Sequence, residues 1–264
     1  MVKLRLDREL LLNHITDEDQ ILNMRKLLDK LEIVLNKHTI ETTNFMDPYQ
    51  RRLARSILNR FLDISYRELG GINKAERKVI QVYPEYLAHE DIELPIGFLE
   101  IEGGIRTLSH RDFLGGILNL GINREKIGDI LIHEDNVQLV VKREVLSYIL
   151  MNLTQIGRQR VEVKEISIDE LKPGIIEYEK IFTTVPSLRI DVLISSVWNL
   201  PRKESQGLVK SKGVKVNWEP VERVSKEIIE GDIVSVKGYG RFMLNSTLGM
   251  SKKGRVRIEL RLLK

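Results

Sequence analysis

Cysteine is absent from the 264 residues, which excludes disulfide frameworks, thiolate metal sites and cysteine nucleophiles and fits a reducing, cytoplasmic setting. Histidine is scarce. The five, at positions 14, 38, 89, 110 and 133, form no triad with helical or hairpin ligand spacing, so neither a metal nor a cofactor is expected. Long apolar runs are missing too. The stretches 113–122 and 145–153 each contain an Asn and fall short of the roughly 18 apolar residues that a membrane helix needs. The opening MVKLRLDRELLLNHITDEDQ mixes charges with Leu and has no apolar core of a secretory signal. The expectation is a cytoplasmic protein with no membrane partner.

What is abundant is charge, and it is unevenly placed. Residues 186–264 hold 16 Lys/Arg against 8 Asp/Glu, whereas residues 1–185 hold 26 against 30. A basic terminal third on a mildly acidic body is the pattern of a polyanion-binding module joined to something else, and nucleic acid is the first candidate.

The periodicities predict an α+β chain of three domains, 1–84, 85–180 and 181–264. In the first, Thr16 before Asp17-Glu18-Asp19 reads as a cap for a helix over about 17–37. Asp47-Pro48 starts a second helix with Leu53, Ile57, Leu58 and Phe61 on its core face. Arg51, Arg52, Arg55 and Arg60 lie opposite; a solvated charged face is the ordinary reading and phosphate contact the functional one. Two short strands, 62–67 and 78–83, flank Gly70-Gly71, and Pro84 to Pro95 reads as a connection. In the middle domain a strand over 96–102, a helix from Ser109 to about Leu120, strands over 129–133 and 137–142, a helix over 143–154 and a strand over 160–166 give β-α-β-β-α-β. That is the order of ferredoxin-like and RNA-recognition folds. The central strands offer only Phe98 as an aromatic, so no base-stacking surface is expected there. Leu171 to Thr184, with Pro173-Gly174 and mixed charge, reads as a linker.

The basic third opens with a short helix near Leu188–Leu193. A second follows from about Pro201, bearing Arg202, Lys203, Lys210 and Lys212, and a small sheet comes after it. The string Arg189-x-Asp191-x-Leu193, then Leu200-x-Arg202-x-x-Ser205-x-x-Leu208-Val209, Val214-x-Val216-Asn217, Ser225 and Gly231-Asp232-x-Val234-x-Val236 resembles the RNA-binding domain named after the fourth small-subunit ribosomal protein, here the S-four domain. The chain departs from that pattern with Pro201 where the family has Ser and Lys212 where it has Gly. The resemblance implies that two short helices lie against structured RNA, with contacts by Arg189, Arg202, Lys203, Gln206, Lys210, Lys212 and Lys215. Arg189 and Asp191 also have a plain reading as an ion pair orienting the first helix. Lys237-Gly238-Tyr239-Gly240-Arg241-Phe242 adds Lys237 and Arg241 as candidate contacts, or is simply a turn entering a strand.

Thr43-Asn44-Phe45-Met46-Asp47-Pro48, Leu108 to Gly115, Leu120 to Ile130 and Gly238 to Phe242 resemble the YlmH family along essentially the whole chain. That resemblance implies a cytoplasmic, ribosome-associated RNA-binding protein, linked to cell division and to rescue of large ribosomal subunits blocked by peptidyl-tRNA. Its partners would be ribosomal RNA and the large subunit, with tRNA a further candidate. The protein would be a monomer and not an enzyme. His110, Arg111, Arg124 and Lys126, together with Arg51 and Arg55, are a candidate second contact.

Enzymatic readings find little support. His110-Arg111-Asp112 lacks the Asn that a kinase catalytic loop requires, since position 117 is Ile. Met250-Ser251-Lys252-Lys253 echoes a synthetase ATP loop without its partner motif and reads as a basic tail. A pseudouridine synthase would need a further catalytic Asp string, and a methyltransferase a glycine-rich loop beyond Gly103-Gly104. The alternatives carried forward are an RNA-modifying enzyme centred on His110 to Asp112 and a cell-division accessory protein.

Overall fold

Acids and prolines set the helix starts in the computed structural model, which describes residues 5–88, 92–175 and 177–263. After α1 (Arg8–Leu12), α2 (Glu18–Lys37) is capped by Asp17, not Thr16: the Asp17 carboxylate accepts the N–H groups of Asp19 at 2.9 Å and Gln20 at 3.4 Å. A charged acceptor matches the positive helix end better than a hydroxyl. A two-residue strand β1 (Glu41–Thr42) leads to α3 (Pro48–Leu58), where Asp47 and Gln50 cap one another reciprocally. The hairpin β2 (Ile64–Leu69) and β3 (Val79–Pro84) completes an antiparallel sheet in the order β1-β3-β2. Met24, Leu27, Leu28 and Leu31 of α2 and Ile57 and Leu58 of α3 bury against Ile80 and Val82. The connection read over 84–95 includes residues 89–91, which lie outside the described residues.

Next come β4 (Ile96–Gly103), α4 (His110–Leu118), β5 (Ile127–Ile132), β6 (Val137–Lys142), α5 (Arg143–Asn152), β7 (Gln155–Ile156) and β8 (Gln159–Ile166). The sheet order is β5-β6-β4-β8-β7, antiparallel throughout. Side-chain alternation sorts its two faces. Leu99, Ile101, Leu139 and Val141 pack with Phe113 and Ile117 of α4 and Leu146 and Ile149 of α5. Phe98, Val140 and Ile166 point the other way and pack with Phe45 and Val79. Phe98 is 3% exposed, so this sheet face is closed rather than open to bases.

The seam between these two sheets uses much of the motif carried by residues 43–48 and 120–130. Asp129 accepts the backbone N–H groups of Glu76 at 2.7 Å and Arg77 at 3.0 Å, and Arg77 in turn donates to the carbonyls of Ile127 and Phe45. Glu125 accepts from Asn44 at 2.6 Å and pairs with Lys26. Gly128 makes room for Phe45: a Cβ there would lie 2.7 Å from Phe45 Cε1. Lys142, buried, donates to the Thr43 carbonyl at 3.0 Å, and burial pulls its pKa down to about 8. Contacts group residues 1–175 as one unit and 176–264 as another.

In the second unit, residues read as the end of a linker form a strand. β9 (Tyr178–Val185) pairs with the last strand of the chain, because its alternating Ile181, Thr183 and Val185 complete a core face. Then follow α6 (Ile190–Trp198), α7 (Arg202–Lys210), β10 (Val214–Val216), β11 (Glu219–Pro220), β12 (Ile233–Val236), β13 (Gly240–Met250) and β14 (Val256–Leu263), with sheet order β11-β10-β12-β13-β14-β9. The expected basic tail is the turn between β13 and β14: the Ser251 amide and the Arg255 carbonyl bond at 2.8 Å. Val214, Val216, Val234, Val236, Phe242, Leu244, Ile258 and Leu260 face Ile190, Leu193, Ile194 and Val209 of the helices.

Candidate nucleic-acid interface

Asp191 organises the helical side of the second unit. It is fully buried, and Arg189 grips it with Nε at 3.0 Å and a terminal nitrogen at 3.1 Å. Arg202 Nε donates at 3.2 Å and Gln206 Nε2 at 2.9 Å. Burial alone would raise the Asp191 pKa, but the bonds from Gln206, Arg189 and Arg202 outweigh it and hold the carboxyl below its ordinary range. One carboxylate thus orients two guanidinium groups and ties the start of α6 to α7. The ion-pair reading of Arg189 and Asp191 describes this geometry. The Arg202 side chain remains more than half exposed.

The outward face of α7 carries Lys203, Gly207 and Lys210 at i, i+4 and i+7, while Ser205 and Val209 are buried beneath. Lys203 and Lys210 make no ion pair among the described residues and stand about 10.5 Å apart along the helix axis. Between them sits Gly207, where an added Cβ would meet no atom within 4 Å. A glycine in an exposed helix interior costs roughly 1 kcal/mol relative to alanine, and nothing inside the protein requires it. In the sequence the signal for this position is a glycine inside a helical lysine repeat, outside the motif positions.

The turns that follow explain the rest of the motif. Lys212 occupies the left-handed region at φ 58°, which is why a glycine suits that place; it pairs with Glu222 at 3.4 Å. Asn217 and Trp218, at φ 48° and 67°, form the two-residue turn from β10 to β11. Asn217 donates to Asp232 at 2.7 Å and accepts the Ile233 N–H at 3.0 Å, latching β10 to β12. Tyr239 lies against Trp198 with ring centroids 5.5 Å apart and donates to Glu204 at 2.8 Å, so an acid of α7 is held toward the β12–β13 turn. The Lys237 N–H donates to the Gly213 carbonyl at 2.8 Å, placing Lys237 beside the Lys212 turn.

The predicted residues do not form one surface. Arg189, Arg202, Lys203, Gln206 and Lys210 share the helical side. Lys215 and Arg241 alternate with core residues Val214, Val216 and Phe242, and they align across the sheet through Ser235 on the face away from the helices. In the first unit Arg51 is buried, paired with Glu68 at 2.7 Å, and Arg55 pairs with the same carboxylate at 2.9 Å. Arg124 donates to the Ile127 carbonyl at 2.6 Å, and burial, then the Arg77 charge, lower its pKa to about 10. Lys126 is tied to Glu144. Each of these four cations has a partner within the fold, and the Arg55 side chain is still nearly half exposed. His110 and Arg111 stand exposed at the start of α4. Asp112 is occupied: it accepts from the Ser109 N–H at 2.8 Å and from the Ser109 hydroxyl at 2.7 Å as half of a reciprocal cap. Among the described residues no group of three or more His, Asp or Glu could hold a metal ion, and no helix is long and apolar enough to cross a membrane.

Family models match most of the first unit. Residues 19–87 fit the family model described as "YlmH, N-terminal", and residues 88–170 fit the model described as "Putative RNA-binding domain in YlmH". Ribosome-associated protein quality control protein P2 of Bacillus subtilis (strain 168) is 33% identical over 233 residues, covering 88% of this chain and 90% of that protein. The solved structure of cell division protein ylmH from Streptococcus pneumoniae superposes with a TM-score of 0.51 at 26% identity, over 59% of this chain and 95% of that one. With a relative this similar over nearly its whole length, the chain belongs to the YlmH family.

Proposed function

We propose that this protein is a non-enzymatic, ribosome-associated RNA-binding protein that grips a structured ribosomal RNA through α6 and α7 of an S-four-like C-terminal domain. The large subunit is the proposed site of action, and quality control of subunits blocked by peptidyl-tRNA the proposed process. The name of the Bacillus subtilis relative and the family description of residues 88–170 support the ribosome and RNA parts of this reading. The strand order β5-β6-β4-β8 with α4 and α5 on one face supports a ferredoxin-like assignment for the middle segment. Its second face is closed by Phe45, Val79 and Phe98, so RNA contact by this segment would use its loops or helices rather than that sheet face.

One observation carries the proposal: the helical side presents two unpaired lysines flanking a glycine that packing does not require, beside arginines preoriented by Asp191. Cations that neutralise phosphates release counterions, and folded RNA is selected by shape. A backbone-level approach at Gly207 suits a phosphate chain better than a protein side chain. With about four phosphates engaged, log affinity should fall with log salt at a slope of about −3. The test is sedimentation of the full chain with ribosomal subunits. Lys203→Glu/Lys210→Glu should leave the large-subunit fraction while remaining folded; co-sedimentation that persists in this variant, or that ignores salt, refutes the reading. The RNA-modifying alternative loses its candidate acid, since Asp112 is committed to a helix cap.

A further inference from the structure

The six-stranded sheet has a second face, turned away from α6 and α7, and its composition is unusual. On β9, Ile181, Thr183 and Val185 point to the core, so Tyr178, Lys180, Phe182 and Thr184 point outward. Register places Tyr178 opposite Leu263, Lys180 opposite Arg261, Phe182 opposite Glu259 and Thr184 opposite Arg257. Arg241 continues the first of these rows on the far side of Leu263. The face therefore gathers Lys180, Arg257 and Arg261 of β9 and β14, with Arg241 of β13 beside them, and among the outward-pointing described residues of β9 and β14 the carboxylate is Glu259, 3.7 Å from Arg261. Lys180 directly opposite Arg261 is a like-charge pair of the kind that destabilises sheets.

Aromatic surface lies among these cations. Phe182 is 63% exposed and Tyr178 is 41% exposed, both on the edge strand, and the Arg261 guanidinium lies 4.6 Å from the Tyr178 ring centroid. An exposed aromatic on a sheet edge is a liability that folded proteins ordinarily remove. Like charges in register and bare rings on an edge are both choices against stability, and such choices concentrate at functional sites.

We propose that this outer sheet face is a second RNA site, and that its ligand is an unpaired RNA strand bound without base preference. Bases would stack on Phe182 and on the Tyr178–Arg261 pair while Lys180 and Arg257 follow the phosphates, the combination by which sheet surfaces hold single strands. Charge complementarity on this face and the exposed rings select that occupant. The inference rests on the RNA-binding reading above but uses a different surface, so one protein would hold a folded element with its helices and a neighbouring single strand with its sheet.

The test titrates the full chain with two fluorescent probes, an oligouridylate with no structure and an RNA hairpin, following anisotropy. Phe182→Ala and, separately, Lys180→Glu/Arg257→Glu should weaken oligouridylate binding by about tenfold or more and leave hairpin binding within about twofold of wild type. Phe182→Trp should restore it. Lys203→Glu/Lys210→Glu should show the reverse pattern. Trp198 and Trp218 fluorescence reports folding of the variants that add no tryptophan, and a circular dichroism melt that of Phe182→Trp. Oligouridylate binding that survives both face variants, or that responds to Lys180→Glu/Arg257→Glu but not to Phe182→Ala, overturns the proposal. Wild-type binding of the hairpin alone overturns it while the helical reading stands; binding of oligouridylate alone with the expected variant pattern supports it while the helical reading falls.

Discussion

Gly207→Ala separates stability from function. The position is helical and exposed, and the new methyl group would have open space around it. Helix propensity favours alanine by roughly 0.8 to 1 kcal/mol, part of it from the smaller entropy of the unfolded chain. For a unit the size of residues 176–264, a gain of about 1 kcal/mol corresponds to a rise of about 4–8 °C in Tm. The measurement is convenient because the only two tryptophans, Trp198 and Trp218, both belong to that unit, so intrinsic fluorescence during heating or urea titration follows it alone. RNA affinity should move the other way. If the phosphate backbone approaches α7 between Lys203 and Lys210, a methyl group there costs about three- to tenfold in hairpin affinity, the equivalent of roughly 0.7 to 1.4 kcal/mol. A variant that is more stable and binds as well as wild type refutes the idea that Gly207 is kept for a ligand. A variant that is less stable refutes the packing argument itself.

Asp191→Ala should lower the stability of the same unit by about 2 to 3 kcal/mol, below the value for a fully buried pair because Arg189 and Arg202 can reach water. It should also weaken hairpin binding although the net charge becomes more positive; tighter binding would show that the carboxylate only opposes RNA. Lys142 makes the first unit pH-sensitive. Its folded pKa of about 8 lies below the unfolded value of 10.5, so the unfolded chain holds the extra proton between these values and stability rises with pH across them, by about 3 kcal/mol in total. Circular dichroism melts of wild type and Lys142→Met should differ in this slope, and equal slopes would refute the assignment. Gly128→Ala should force Phe45 from its seat and cost the first unit about 1 to 3 kcal/mol, read as a lower urea midpoint; an unchanged midpoint would mean that the seam yields freely.

The motif blocks were legible in the sequence before their roles were. Asn44, Phe45, Glu125, Gly128 and Asp129 stand out as a pattern, yet they recognise one another across the seam between two sheets, and no spacing along the chain announces that contact. Arg51, Arg55, Arg124 and Lys126 stand in the sequence as bare charges, because a sequence shows charge without showing the carboxylate or carbonyl that folding brings to it. Phe98 stands alone as an aromatic on the central strands and folding buries it, while Phe182 and Tyr178 lie in a stretch that reads as a linker. Short strands with mixed charge, such as β9 and the far half of β13, carry little periodic signal when one face is solvated and polar.

The amino-acid sequence alone determined much of the local structure: helix starts at Asp and Pro, most of the alternating strands, and a basic terminal third. These depend on neighbours a few residues apart, whose physics is written in order along the chain. Only the tertiary structure decided which cations remain available and which surface each joins, because burial and pairing arise from residues distant in sequence. Asp191 drawing Arg189, Arg202 and Gln206 together, and β9 laying its aromatics beside Arg261 of the last strand, exist only once the sheet has closed over its core.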